Sequence, residues 1–346
     1  MSAFFTRTAM KAVEQGWVPD SIVRSGIRSL CRQRMREIQL PKARQSQHLD
    51  EFVRNMGEAP VAPLVHKANE QHYEVPAAFF QQVLGAQLKY SSSFWDGVDT
   101  LDQAELQALA LSCEHADLKD GQEVLELGCG WGSLTLWMAK SYPNSTITAV
   151  SNSHSQRSFI EQRAMEAGLG NVRVITADIN HFSMDQGFDR ILSVEMFEHL
   201  RNYASIFDRV AGWLKPDGRF FMHIFCHHST PYLFEVRDDT DWMSRYFFSG
   251  GMMPSADLPL KFQDSLCFAN RWDWSGVEYQ KTAEAWLDKL DAARDEVFAI
   301  FSDTYGQADA KMWVNRWRIF FMACAELFGM RGGDEWRGSH FLFNKR

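Results

Sequence analysis

Along residues 121–225 the spacing of apolar positions switches repeatedly between two periods. Short apolar runs at Glu123–Leu127, 146–150, Val172–Thr176, 190–194 and 219–225 have the length and composition of buried strands. Between them, the stretch after the glycines through about Tyr142, then 154–167 and 203–214, places apolar residues at helical steps. Lys215-Pro216-Asp217-Gly218 reads as the turn that closes the last of these helices. Strands alternating with helices at this spacing predict an α/β fold, a doubly wound and mostly parallel sheet.

The flanks follow different rules. Across residues 21–40, Ile22, Val23, Ile27, Leu30, Cys31, Met35 and Ile38 recur at three- and four-residue steps with arginines on the other faces, which predicts a helix ending at Pro41. Residues 41–66, with Pro60 and Pro63, read as a less regular connection. Residues 226–335 are rich in Trp, Phe and Asp and mostly helical in pattern, and Ser339-His340-Phe341-Leu342-Phe343 reads as a returning strand at the sheet's last edge. The expected organisation is therefore a helical N-terminal extension (1–66), a core with leading helices (67–225), a helical substrate cap inserted at 226–335 and an edge strand (336–346).

Composition narrows the class. No apolar stretch approaches the roughly 20 residues of a membrane span, and the N-terminus lacks the pattern of a secretory signal, so a cytoplasmic protein is expected. The six cysteines include no CxxC pair, which points to reduced thiols and no metal site. A net charge of −8 argues against nucleic acid as a partner. The charge is uneven: residues 1–46 hold nine Lys or Arg against three acids, an excess of +6 that leaves −14 elsewhere. That basic helix either packs on the rest of the protein or suits an anionic membrane surface. Oligomeric state is not readable, and a homodimer is compatible with everything here.

The glycine loop Gly128-Cys129-Gly130-Trp131-Gly132 follows the first strand and opens a helix. Glycines there let the backbone turn tightly and approach a ligand, and the helix start offers unpaired N–H groups. A dinucleotide site wants GxGxxG and an acid after the second strand. This chain has GxGxG, and its second strand runs into Ser151-Asn152-Ser153. A phosphate-binding P-loop is excluded because no Gly-Lys-Ser/Thr follows. With Glu126 at the first strand end, Asp178 after the third and Phe188-Asp189-Arg190 entering the fourth, the chain resembles class I, Rossmann-like methyltransferases. That resemblance implies S-adenosylmethionine as cofactor and S-adenosylhomocysteine as product. It also sets the glycines against the amino-acid part of the cofactor and Asp178 near adenine.

At the end of the fourth strand lies Glu195-Met196-Phe197-Glu198-His199. In open α/β sheets ligands bind outside the carboxyl ends of the strands. If the segment is helical, Glu195, Glu198 and His199 share one face. Two carboxylates and an imidazole facing a cleft can hold an ammonium and accept its proton, which an amine must lose before its lone pair can attack.

The distinctive residues make the likeness more specific. They are Gly16-Trp17-Val18-Pro19-Asp20, the run 149–156, the run 195–200, Asp241-Trp242, the run 245–251 and Glu326-Leu327-Phe328-Gly329. On these the chain resembles the plant benzylisoquinoline N-methyltransferases of the coclaurine N-methyltransferase type, which share a larger family with the cyclopropane fatty acid synthases. The resemblance implies an N-methyltransferase acting on a small amine of tetrahydroisoquinoline type. By it, Ser91, Glu126, Gly128, Gly130, Gly132, Asn152, Gln156, Asp178 and Ile179 would contact the cofactor. Glu198 and His199 would form the catalytic base region, with Glu195 on the substrate amine. Tyr73, His223, Tyr279, Trp317, Phe320 and Phe321 would line the substrate pocket.

The alternative is lipid chemistry, methyl or methylene transfer to an unsaturated acyl chain with peripheral membrane contact. Tyr90-Ser91-Ser92-Ser93-Phe94-Trp95 resembles the synthases, and Glu198, His223 and Tyr279 match residues that surround a bound bicarbonate in them. Two departures favour the amine. The synthases carry a cysteine where this chain has Ser92 and a small residue where it has Glu195. A further carboxylate is costly beside an apolar alkene and favourable beside an ammonium.

Overall fold

The chain builds a seven-stranded sheet and, apart from it, a two-stranded pair of β6 (Tyr232–Leu233) and β7 (Met252–Met253). The structure, a computed structural model, describes residues 3–63, 75–236 and 241–346. The central strands are β1 (Glu123–Leu127), β2 (Thr146–Ser151), β3 (Val172–Thr176) and β4 (Phe188–Val194), with β5 (Leu214–His227) beside β4. All of these neighbours pair in parallel. β9 (Trp336–Lys345) then runs antiparallel between β5 and β8 (Leu266–Trp274), so the spatial order is β3-β2-β1-β4-β5-β9-β8. Chain order reverses between β1 and β4, and ligands of such sheets sit at that switch point, beyond the strand ends.

Helix starts in the core follow local chemistry. Ser153 accepts the Gln156 N–H at the start of His154–Glu166, and Asn202 accepts the Ser205 N–H at the start of Tyr203–Trp213. The helix Ser133–Ser141 instead begins on Gly132, which sits in the left-handed region at φ 81. A Cβ there would also meet Ile160 Cγ1 at 2.6 Å.

Three expectations need correction. Residues 41–66 are not an irregular connection throughout, because Lys42–Gly57 is a helix. Its inward residues Leu49, Phe52, Val53 and Met56 keep helical spacing, although most positions between them are polar. The segment 226–335 is not wholly a cap, because it contributes β8 to the sheet. That strand buries only its ends, Leu266 and Trp274, as an outer strand does, so it shows little apolar pattern. The last edge is accordingly β8, and β9 is an interior strand, buried at Trp336 and from Gly338 to Phe343. The expected turn at 215–218 is present as an irregularity inside β5, where the pairing jumps from Phe188↔Leu214 to Arg190↔Arg219.

The cap helices Gly276–Ala292 and Gln307–Phe328 stack over one end of the sheet through an aromatic core. Trp317 packs on Phe79 with ring centroids 4.6 Å apart, and Phe247 stacks on Phe320 at 4.3 Å. The basic helix Asp20–Ile38 lies against this cap, and its charge is met there. Arg24 pairs with Glu284 at 2.6 Å and Glu326 at 3.2 Å, and Arg28 with Glu326 at 3.0 Å. Arg318 returns the exchange by pairing with Asp20 at 2.7 Å. Among the described residues no helix is long and apolar enough to cross a membrane.

Candidate active site

Two adjoining cavities open beyond the carboxyl ends of β1, β2 and β4, and Gly128, Gly130, Gln156, Met196 and His199 line both. The first continues along the end of β2 past Val150, Ser151 and Asn152, with Ala177, Ile179 and Ala62 opposite. The second runs under the cap, where Lys89, Ser91, Glu126, Glu195 and Tyr279 share its wall with Tyr90, Trp131, Phe225, Phe248 and Phe320.

The three loop glycines do different work. All have positive φ, at 79 for Gly128, 52 for Gly130 and 81 for Gly132. A Cβ on Gly128 would meet Met196 Sδ at 2.8 Å, so this glycine permits packing within the protein. A Cβ on Gly130 would meet nothing within 4 Å, so its missing side chain leaves room in the cavity itself. The buried Trp131 Nε1 and Ser133 Oγ have no hydrogen-bond partner among the described residues. Open backbone and unsatisfied donors at a helix start fit a polar ligand seated on the loop.

Gln156 is buried at the end of β2, and its Oε1 accepts the Ser151 hydroxyl at 2.6 Å. Its amide nitrogen is then the donor left for the cavity. Glu126 accepts the Thr135 hydroxyl at 2.5 Å, and burial pushes its carboxyl up to about 7, with that hydrogen bond opposing. Asp178 lies outside the ring of lining residues. Its Oδ1 accepts the Asn180 N–H at 2.8 Å, a local turn, while its neighbours Ala177 and Ile179 line the cavity.

The 195–199 segment does not form the helical face expected from its spacing. Glu195 has φ 46 and breaks the chain away from β4, and only Phe197–His199 forms a 3-10 turn. Glu195 and His199 therefore face the cavity, whereas Glu198 turns under it. Glu198 Oε1 accepts the Phe225 N–H at 2.6 Å, and its Oε2 has no hydrogen-bond partner among the described residues. Burial, then the charge of Glu195, holds the Glu198 carboxyl well above its usual range. The His199 ring lies parallel to Phe248 at 5.6 Å, and burial lowers its pKa to about 4.

Glu195 is the hub of the second cavity. Its Oε1 accepts the Ser92 N–H at 2.9 Å and its Oε2 accepts the Tyr279 hydroxyl at 2.8 Å. Burial raises its pKa, opposed by the charge of Lys89 and by those two hydrogen bonds. His223 Nε2 lies 3.7 Å from Glu195 Oε1, in a position too buried to line the cavity. Burial, then the charge of Lys89, keeps that imidazole well below its ordinary pKa. Of the three aromatics expected on the far wall only Phe320 reaches it. Trp317 and Phe321 are fully buried behind it in the cap core. Tyr73 lies outside the described residues.

Lys89, Met196 and the Ser249-Gly250 pair line the cavities and were not anticipated. Lys89 directly precedes the Tyr90-Ser91 motif, and that adjacency was the available signal. A cluster of His227, His228 and Glu335 elsewhere has ligand-like spacing. His227 Nδ1 accepts the Ser229 and Thr230 N–H groups, so its proton sits on Nε2 toward Glu335. That is a hydrogen-bonded pair and not a ligand set.

Similarities to known proteins follow the same lines. Residues 64–336 match the family model described as mycolic acid cyclopropane synthetase. The chain is 38% identical over 343 residues to an (S)-coclaurine N-methyltransferase of Thalictrum flavum subsp. glaucum, covering 97% of this chain and 95% of that one. It is 30% identical over 270 residues to the cyclopropane-fatty-acyl-phospholipid synthase of Escherichia coli strain K12, covering 78% and 66%. A crystal structure of coclaurine N-methyltransferase bound to N-methylheliamine and S-adenosylhomocysteine superposes with a TM-score of 0.95. Its sequence is 36% identical, and the match spans 98% of this chain and 99% of that one.

Proposed function

The chain belongs to the mycolic acid cyclopropane synthetase family and is an S-adenosylmethionine-dependent methyltransferase, and within that family we propose that it methylates the nitrogen of a small, tetrahydroisoquinoline-type amine. The observation that carries the reading is the carboxylate of Glu195, buried on the cavity wall and held by Tyr279 and Ser92. A buried carboxylate suits a cationic or proton-losing acceptor and penalises an apolar alkene.

The lining residues fit the cofactor. Asn152, Gln156 and Ile179 would hold its nucleoside side, and Gly128, Gly130, Ser91 and Glu126 its amino-acid end. When bound, it supplies an electrophilic methyl group on a sulfonium. The protein's own part is positional and acid–base. Phe225, Phe248, Phe320 and Trp131 exclude water and orient a flat amine. Glu195 receives the ammonium and accepts its proton on the carboxylate, whose pKa burial has moved toward the useful range. His199, uncharged at neutral pH, can accept a hydrogen bond from the amine beside it. Glu198 acts from beneath, through its hydrogen bond to the Phe225 backbone.

One support of the lipid alternative weakens, because Arg24 and Arg28 of the basic helix are engaged with acids of the cap. The deciding experiment measures S-adenosylhomocysteine release with tetrahydroisoquinoline-type amines and, separately, with unsaturated phospholipid vesicles. N-methyl product from the amines, confirmed by mass, is expected. Turnover with vesicles alone would overturn the reading.

A further inference from the structure

Lys89 lines the cavity beside the glycine loop and yet is only 3% exposed. A cation on this wall is out of place at first sight. The site takes a sulfonium and an amine, and a buried ammonium repels both. Burial itself pushes the Lys89 ammonium down to about 8, with Glu195 and Glu105 opposing.

The local backbone is built to put it there. The preceding residue, Leu88, adopts φ 54, an uncommon conformation for a non-glycine residue. The buried Glu105 carboxylate holds that turn by accepting the N–H groups of Gly85, Gln87 and Lys89. Strain that is maintained by a dedicated buried acid points to a functional placement.

Lysine has three N–H bonds and accepts none. Two are used, to Ser91 Oγ at 2.6 Å and to the Ser92 carbonyl at 2.5 Å. Among the described residues the third meets no protein acceptor. Because Ser91 Oγ accepts from Lys89, the serine's own hydrogen must point elsewhere, and no described residue accepts it. Ser133 Oγ, at the first turn of the loop's helix, lines the same cavity and is likewise without a partner among the described residues. Three donors and one positive charge thus line the cavity in which the amino-acid end of the cofactor would lie.

Resting on the methyltransferase reading, we propose that Lys89 holds the α-carboxylate of the cofactor, directly through its third N–H and through the Ser91 hydroxyl that it turns outward. This would be the one anionic group of the ligand, and it turns an unfavourable cation into a selective one. Lys89 is a binding residue in this proposal and takes no part in proton transfer.

The test reads binding, with no turnover. Affinities for S-adenosylhomocysteine and for its decarboxylated analogue, S-adenosyl-3-thiopropylamine, are measured by calorimetry on the wild type, Lys89→Met and Lys89→Gln. The wild type is expected to favour the carboxylate-bearing ligand by about tenfold or more, the size of a charge-assisted hydrogen bond. Lys89→Met should bring the two affinities together by weakening S-adenosylhomocysteine alone. An equal loss for both ligands, or none for either, would overturn the proposal. Should Lys89→Met not fold, Lys89→Gln decides: a fall of roughly threefold or more in the ratio is expected, and an unchanged ratio refutes it. If neither ligand bound the wild type, the methyltransferase reading would fall and this proposal with it.

Discussion

Tyr279 donates its hydroxyl to Glu195 across 2.8 Å, so a cap helix fixes a carboxylate that stands at the end of a sheet strand. The bond stabilises the ionised form of Glu195 against the burial that raises its pKa. Tyr279→Phe removes that stabilisation, so Glu195 should titrate higher. If Glu195 is the base it works deprotonated, and the acid limb of kcat/KM should move to higher pH by about one unit. A pH–rate profile on a secondary amine checks this, and a limb that stays in place would remove Glu195 from the base role.

Glu198 and His199 are expected to support turnover without holding the cofactor. Glu198→Ala and His199→Ala are each expected to lower kcat by roughly 10²–10⁴-fold while S-adenosylhomocysteine affinity is retained. Burial and the charge of Glu195 favour the protonated form of Glu198. Glu198→Gln, which mimics the protonated acid and can still accept the Phe225 N–H, should therefore keep more activity than Glu198→Ala. Stopped-assay turnover combined with calorimetry distinguishes these outcomes, and wild-type rates in both alanine variants would sink the assignment.

The loop glycines should respond differently to alanine. Gly132→Ala places a Cβ 2.6 Å from Ile160 at φ 81 and is expected to destabilise the protein by about 1–3 kcal/mol. Gly130→Ala meets no protein atom and enters the cavity instead, so it should cut cofactor affinity with a smaller change in Tm. Thermal melts with and without S-adenosylhomocysteine measure both effects. Equal loss of stability in the two variants would show that Gly130 is also a packing residue.

Glu126 links the site to stability. Its folded pKa of about 7 stands above the 4.5 of an ordinary glutamate, so the ligand-free fold holds a proton that the unfolded chain releases. The relative stabilisation is complete below pH 4.5 and is lost as pH rises through 7. Glu126→Gln should thus gain stability over the wild type across that window, reaching of order 3 kcal/mol above pH 7. Ligand-free melts at pH 5 and pH 8 test the sign. A stability difference that did not grow with pH would contradict it. The same variant should bind S-adenosylhomocysteine more weakly, because the proposed partner of its ammonium is gone.

Much of the core was legible because its signals are local. The runs at β1 and β3 have strand length, and Ser153 and Asn202 cap the helices that follow them in the chain. The glycine loop was legible too, since Gly128, Gly130 and Gly132 mark a backbone conformation wherever it occurs. The misses share a cause. β8 buries only Leu266 and Trp274 because one side of it has no neighbour strand. The helix Lys42–Gly57 shows a single narrow apolar stripe. At 195–199 the spacing suggested one helical face, but left-handed Glu195 sends Glu198 beneath the site instead.

By itself the sequence determined the doubly wound sheet, the glycine loop that follows its first strand and the presence of Glu195, Glu198 and His199 at the end of the fourth. Periodicity, capping and short contiguous motifs act between neighbours in the chain, so they can be read along it. Only the tertiary structure decided which of these groups reach the cavity and in what charge state. Lys89, Ser92, Glu195 and Tyr279 come together across as many as 190 positions of sequence (Lys89 to Tyr279). Their ionisation depends on burial that exists once the cap has closed over the sheet, and no residue carries that burial in its own identity.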